Sequence, residues 1–484
     1  MRATSTLLTL TAVLLSGCVS LDPSFRRPAA PIPSSWPTGA AYGPQTVAAS
    51  PVAEIGWRDF FADDRLKAVI AQALANNRDL RLAVANVAAA RAQYGAQRAD
   101  LFPKIDANGE ASYSQVPLST LGATTGAAVP TSGRNSVYER LYSANIGVSA
   151  YQLDLFGRVQ SLSRAAQQQY LATREAQRAA QISLVAQVAT EYLTLGSDSA
   201  LLSLAGETAA SGQAYLDLTQ KRFEAGIASQ LDVRQAQTTV EQAKADQARY
   251  TAAVAMDRNA LELLVGAPVA DDLLPADVQD GVTALTDLPV GLSSNVLLAR
   301  PDVVEAEHQL HAENAQIGAA RAAFFPSISL TGSGGVSSSA LSQLFTGASR
   351  AWSFSPSISL PIFAGGQNLA DLRYAEAERD AAVAQYEKAV QTAFREVADA
   401  LAQRGTIDQQ LAAQQALVDA AADSLRLSQA LYERGSDSYL NVLTAQVSLY
   451  SARQNLIAAR LTRASNLVTL YQVLGGGLDG GKGA

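Results

Sequence analysis

The chain has almost no cysteine and almost no histidine: one Cys and two His in 484 residues. A disulfide framework within the chain is therefore impossible, and a Cys/His zinc site nearly so. Aromatic residues make up only 6% although 48% of the chain is hydrophobic, so Ala, Leu and Val must fill its interior. Basic residues are outnumbered, 37 Lys+Arg against 44 Asp+Glu, for a formal net charge of −7. That balance argues against a nucleic-acid partner, which favours a basic stripe. No uninterrupted apolar run reaches the roughly 20 residues of a transmembrane helix. Nothing supplies a Ser/His/Asp or Cys/His triad, and the glycines near the end (Gly475, Gly476, Gly477, Gly480, Gly481) lack the strand-to-helix context of a phosphate loop. No enzymatic activity is expected.

The lone cysteine is well placed. Residues 1–17 carry Arg2, then an apolar stretch from Leu7 to Leu15, and end Leu15, Ser16, Gly17 before Cys18. The stretch is too short to span a bilayer and reads as a signal peptide. Small residues before a Cys resemble a bacterial lipobox, in which the chain is cut before Cys18 and its thiol carries a lipid. The alternative is an ordinary secretory signal with an incidental cysteine. By resemblance to bacterial lipoproteins, Val19 rather than Asp at the next position implies sorting to the outer membrane. Residues 18–56 are rich in Pro, Ser and Ala and read as an extended tether without a core of its own.

The rest of the chain is written twice. Residues 93–105 (QYGAQRADLFPKI) align with 316–328 (QIGAARAAFFPSI), and Asp79 aligns with Asp302 at the same offset. Residues 223–237 (FEAGIASQLDVRQAQ) align with 432–446 (YERGSDSYLNVLTAQ) at a different offset, so the halves share a plan but differ in loop length. In each half a proline-free, helix-periodic stretch (158–225 and 367–434) precedes a Gly, Gly226 or Gly435. As a continuous helix each stretch would be about 100 Å long, which suggests coiled-coil packing. Two helical hairpins with equivalent tips, near 226–232 and 435–441, are predicted. The first repeat is assigned to 57–265, a linker to 266–295, the second repeat to 296–474 and a flexible tail to 475–484.

Four segments switch to a period of two, near 104–116, 141–154, 327–336 and 351–361. In the last of these Trp352, Phe354, Pro356, Ile358 and Leu360 alternate with Ser353, Ser355, Ser357 and Ser359. The other apolar or small sets run Ile105 to Tyr113, Tyr142 to Ala150 and Ile328 to Val336, and no charge falls on any of the four. Each segment has about the length of a tilted membrane strand. Loops at 118–139 and 337–350 would join them in pairs. Four strands cannot close a barrel, and an open edge is not tolerated in lipid, so insertion requires two copies (eight strands) or three (twelve).

These duplicated strand–helix units, the Arg300, Pro301, Asp302, Val303 and Phe324, Phe325, Pro326 segments, and the lipobox with its tether resemble the TolC-type outer membrane factor family, in particular its NodT-type lipoprotein branch. The resemblance implies a mainly α fold: a long α-helical barrel of coiled-coil hairpins plus four transmembrane β-strands per chain, completing a 12-stranded barrel in a homotrimer. It implies a passive duct of a tripartite efflux system for small molecules. Its partners would be a periplasmic adaptor (a membrane fusion protein), an inner-membrane pump of the resistance-nodulation-division type, and outer membrane lipid. No cofactor is implied beyond the lipid on Cys18. The hairpin tips would form an acidic periplasmic aperture, with Asp232 on one matched position, Asn441 and Thr444 on the others, and Asp437 as a substitute carboxylate. Tyr432 and Arg434 are candidates for closing contacts, and Gly226, Ser229, Gly435 and Ser438 for adaptor contact. Asp232 and Asn441 could equally cap the returning helices.

Two rival readings stand beside this one: a channel for type I protein secretion, and a periplasmic coiled-coil scaffold without a pore. Glu305, His308 and His311 share a helix face at a spacing that metal ligands also use, but no second cluster completes a shell, so a packed or solvated pair is expected.

Overall fold

The computed structural model describes residues 20–42, 55–117, 136–278, 283 and 293–476. Cys18, the signal segment, most of the loop at 118–139, most of the linker at 279–292 and the tail from 477 lie outside the described residues. The elements run α1 (Asp64–Asn76), α2 (Arg78–Ala99), β1 (Ile105–Pro117), β2 (Ser136–Leu153), α3 (Arg158–Glu224), α4 (Gln230–Val265), α5 (Pro301–Ala322), β3 (Ser327–Ser338), β4 (Arg350–Ser359), α6 (Gln367–Glu433) and α7 (Tyr439–Val473). The long helices α3 and α6 are 67 residues each, as the periodicity predicts. Among the described residues no helix is long and apolar enough to cross a membrane.

The chain divides into two compact units. The first (1–27, 89–170, 308–383) contains the sheet. Its four strands form an antiparallel meander in the order β1-β2-β3-β4, leaving β1 and β4 as open edges. The predicted two-residue period is carried across the sheet: Ala107 pairs with Ile146, Ile146 with Gly334, and Gly334 with Trp352, so apolar residues share one face. Ser329 and Ser357 meet on the other face at 2.7 Å, and Ser333 meets Ser353 at 2.9 Å.

Two expectations about β2 need correcting. The strand starts at Ser136, ahead of the expected 141, so residues 136–139 belong to a strand instead of a loop. Its apolar set also does not run through to Ala150. A bulge between Val148 and Tyr151 shifts the register. Ala150 sits in that bulge at φ +55°, donating its N–H to Thr331 Oγ1 at 3.1 Å. The apolar face continues through Tyr151 and Leu153, opposite Leu330 and Ile328. An inserted residue in one strand has this effect on alternation.

The described part of the Pro-rich N-terminal segment (20–42) contains no helix or strand, and it is fastened down. Within the first unit Asp22 pairs with Arg164 at 2.7 Å and accepts the Ser161 hydroxyl, and Asn314 donates to the Pro23 carbonyl at 2.8 Å. Phe25 stacks on His311 at 3.4 Å, and His308 Nδ1 lies 2.6 Å from Gln168 Oε1. The two histidines are thus packing and hydrogen-bonding residues. No group of three or more metal-ligating side chains forms among the described residues.

The second unit (28–88, 171–307, 384–484) holds the hairpins. On α7 the residues Val442, Ala445, Leu449, Ala452, Leu456 and Ala459 are buried in alternating steps of three and four, and Val233, Ala236, Val240 and Ala243 repeat this on α4. That is a coiled-coil seam, and its alternate alanines let the helices approach closely. Near the other end of the unit, Phe60 and Tyr471 stack at 3.9 Å and Arg300 bridges Asp302 (2.7 Å), Glu396 (2.9 Å) and the Val473 carbonyl (2.8 Å). Trp36 of the N-terminal segment is buried there against Phe394.

Candidate functional site

Both hairpins turn by the same device. After α3, Gly226 (φ +75°) donates to Phe223 O at 2.9 Å and Ile227 to Arg222 O at 2.8 Å. After α6, Gly435 (φ +72°) donates to Tyr432 O at 3.0 Å and Ser436 to Leu431 O at 2.9 Å. Each is a glycine-closed helix end that requires the left-handed backbone.

The restart differs between the two. In the first hairpin Ser229 caps α4 and Asp232 completes the capping box, accepting Ser229 N–H at 2.9 Å while Ser229 Oγ accepts Asp232 N–H at 3.2 Å. In the second, Ser438 is the N-cap residue but its side chain makes no cap bond. Asp437 takes over, accepting Ser438 N–H at 2.7 Å and the Asn441 side-chain amide at 2.6 Å. Each tip therefore carries one carboxylate, placed three residues after the cap in one and just before it in the other. Thr444 bonds its own helix at Leu440 O, and Arg434 is exposed.

The tips are joined by a cluster that sequence reading largely missed. Tyr439 is buried, 5.6 Å from the Tyr432 ring and 6.4 Å from Tyr215. Arg222 lies over the Tyr432 ring at 4.7 Å. The partner of the Tyr432 ring is thus Arg222, at the end of the first long helix. Burial, and then the nearby Tyr215, Tyr432 and Asp232, push the Tyr439 hydroxyl up to about 12. It stays a neutral donor under all ordinary conditions. Tyr439 continues the Val442, Ala445 seam backwards by one step, which is the signal that could have found it. Further along, Tyr450 of α7 donates to the buried Asp246 of α4 at 3.1 Å, and Arg249 pairs with the same carboxylate.

On the sheet, the apolar face carries Tyr113, Tyr142, Trp352 and Phe354, while Asp106, Glu110 and Glu139 lie on the polar face. Arg140 and Arg350 fall on the apolar side only at the loop ends of β2 and β4. An apolar face of this height with polar residues behind it and two unsatisfied edges is suited to a barrel wall in lipid.

Comparison with known proteins agrees. The sequence matches the outer membrane efflux protein family over residues 69–267 and 292–476. The chain belongs to the outer membrane efflux protein family. It is 47% identical to the probable efflux pump outer membrane protein TtgC of Pseudomonas putida over 97% of this chain and 95% of that protein. A crystal structure of a membrane protein from Pseudomonas aeruginosa superposes with a TM-score of 0.87 at 41% identity, covering 96% of this chain and 99% of that one. The open state of the MtrE outer membrane channel from Neisseria gonorrhoeae gives 0.84 at 37%, covering 96% and 99%. As a member of the outer membrane efflux protein family, the chain is an outer membrane efflux channel, a transport duct and not an enzyme. The pore-free scaffold reading is thereby set aside.

Proposed function

We propose that three copies of this chain close their sheets into a twelve-stranded barrel and their hairpins into a tube. The tube conducts small molecules passively from a periplasmic adaptor and an inner-membrane pump of the resistance-nodulation-division type. The observation that carries this reading is the meander with two open edges and one apolar face whose only charges, Arg140 and Arg350, sit at the loop ends. Backbone groups along β1 and β4 find no partner in hydrocarbon unless another copy supplies it. Closure by copies satisfies all of them at once. The helices end at tips bearing Asp232 and Asp437, so a threefold arrangement would present rings of carboxylate at the far end of the tube, where an acidic constriction favours cations. The only non-protein group in this reading is the lipid on Cys18, which would hold the chain to the outer membrane by its N-terminus. Relatives are named for efflux of toluene, other solvents and antibiotics, which supports small toxic molecules as this chain's cargo.

Native mass spectrometry of the detergent-extracted protein tests the assembly. Three chains, each with a lipid mass on Cys18, are expected. A monomer or dimer contradicts the duct, and an unmodified Cys18 contradicts the anchor.

A further inference from the structure

Among the described residues, nothing covers the two large side chains that follow β4. Ile362 is 87% exposed and Phe363 90% exposed, two adjacent large apolar side chains on a segment that is neither strand nor helix. At the opposite edge of the same sheet, and at the same end of it, lies a cavity of about 360 Å³ beneath the start of β1. Phe102, Tyr151, Val159 and Leu162 give it an apolar wall, with Lys104 and Arg158 at the polar side. Phe102 itself is 63% exposed. The Tyr151 hydroxyl donates to the Leu101 carbonyl at 3.0 Å and holds the wall in place.

The two edges of the sheet are staggered. Following paired residues across the sheet, Ile105 stands level with Val148, Gly332 and Phe354. Ile105 is the first residue of β1, yet β4 continues past Phe354 to Ser359. One edge of the sheet therefore reaches further towards the helical end than the other. A barrel of tilted strands closes only with a stagger of this kind. If β4 of one copy pairs antiparallel with β1 of the next so that their helical-end residues stand level, Ser359 lies beside Ile105. The chain then continues through Ile362 and Phe363 alongside Phe102 and Lys104.

We infer that Ile362 and Phe363 of each protomer dock into the cavity beneath β1 of its neighbour, the occupant being a second copy of this chain. The inference rests on closure of the sheets by copies, and it identifies the apolar contact that seals the seam where the barrel meets the helices. The contact is head-to-tail, as a closed ring requires. It buries side chains that would otherwise form an unexplained exposed apolar patch.

The test uses the full-length protein in detergent with Phe102→Cys and Phe363→Cys combined, treated with a short bismaleimide. A ladder ending in a covalent trimer is expected from the double variant and not from either single one. An assembled trimer that stays unlinked overturns the docking, while a wild-type protein that runs as a monomer overturns the closure itself. Should the double variant fail to assemble, a benzophenone amino acid at position 363 keeps the question decidable. Cross-links mapping to the segment around residue 102 support the contact, and cross-links to lipid alone overturn it.

Discussion

The Arg222 guanidinium lies 4.7 Å over the ring of Tyr432, tying the end of the first long helix to the end of the second. Tyr432 packs against the buried Ala236, Tyr439 and Val442, whereas Arg222 is half-buried, and no local pattern links the two. The contact nonetheless joins the two hairpins at the place where a tube made from them would open. Arg222→Ala removes a cation–π interaction of about 1 kcal/mol from each protomer. The expected outcome is a higher open probability in planar bilayers with unchanged assembly. A variant with wild-type gating would remove this pair from the closing machinery.

The aperture role proposed for the tip carboxylates can be separated from their capping role by choice of substitution. Asp232 and Asp437 both accept backbone N–H groups, and Asn retains an acceptor while removing the charge. Asp232→Asn combined with Asp437→Asn is expected to weaken block by divalent cations without lowering thermal stability. Asp232→Ala is expected to lower helix stability as well, by about 1 kcal/mol for the lost cap. Unchanged block in the double Asn variant would leave the carboxylates as caps only.

Asp257 gives a pH signature. Burial first, then Asp198 and Glu191, raise its carboxyl to about 6 from an ordinary 3.8. The folded state holds this proton more tightly than the unfolded chain. Its favourable contribution is therefore complete below 3.8 and is lost as the pH rises through about 6. Asp257→Asn is expected to raise the helix melting temperature at pH 7.5, with the gain vanishing near pH 4. An equal gain at both values would rule out the titration as its cause.

Gly147 faces the Gly332–Ser333 backbone so closely that a Cβ there would collide with it. Gly147→Val is expected to part β2 from β3 and abolish the oligomer proposed above, as read by native mass spectrometry, while leaving the hairpins helical by circular dichroism. Retention of that oligomer would show that the sheet tolerates the strain.

Much of this architecture is legible in the sequence because it is local. The 67-residue helices follow from uninterrupted periodicity, and their ends from Gly226 and Gly435. The strands follow from alternation, but the extra length of β2 does not, since Glu139 and Arg140 break the pattern that marks its beginning. The Ala150 bulge is set by the Thr331 hydroxyl on another strand and has no local signature. The N-terminal segment has a linker's composition, and only the distant partners of Asp22, Phe25 and Trp36 reveal that it is docked. The tip illustrates the same limit. Asp232 and Tyr432 can be picked from the repeat, whereas Arg222 and Tyr215 become visible only when the hairpins are packed together.

Whether identical chains close into a pore is decided by single-channel recording of the purified wild-type protein. Discrete conductance steps are predicted, small for the wild type and larger or longer-lived for Arg222→Ala. Bilayers that stay silent with both proteins, at protein levels where trimers are shown to be inserted, would contradict closure into a pore.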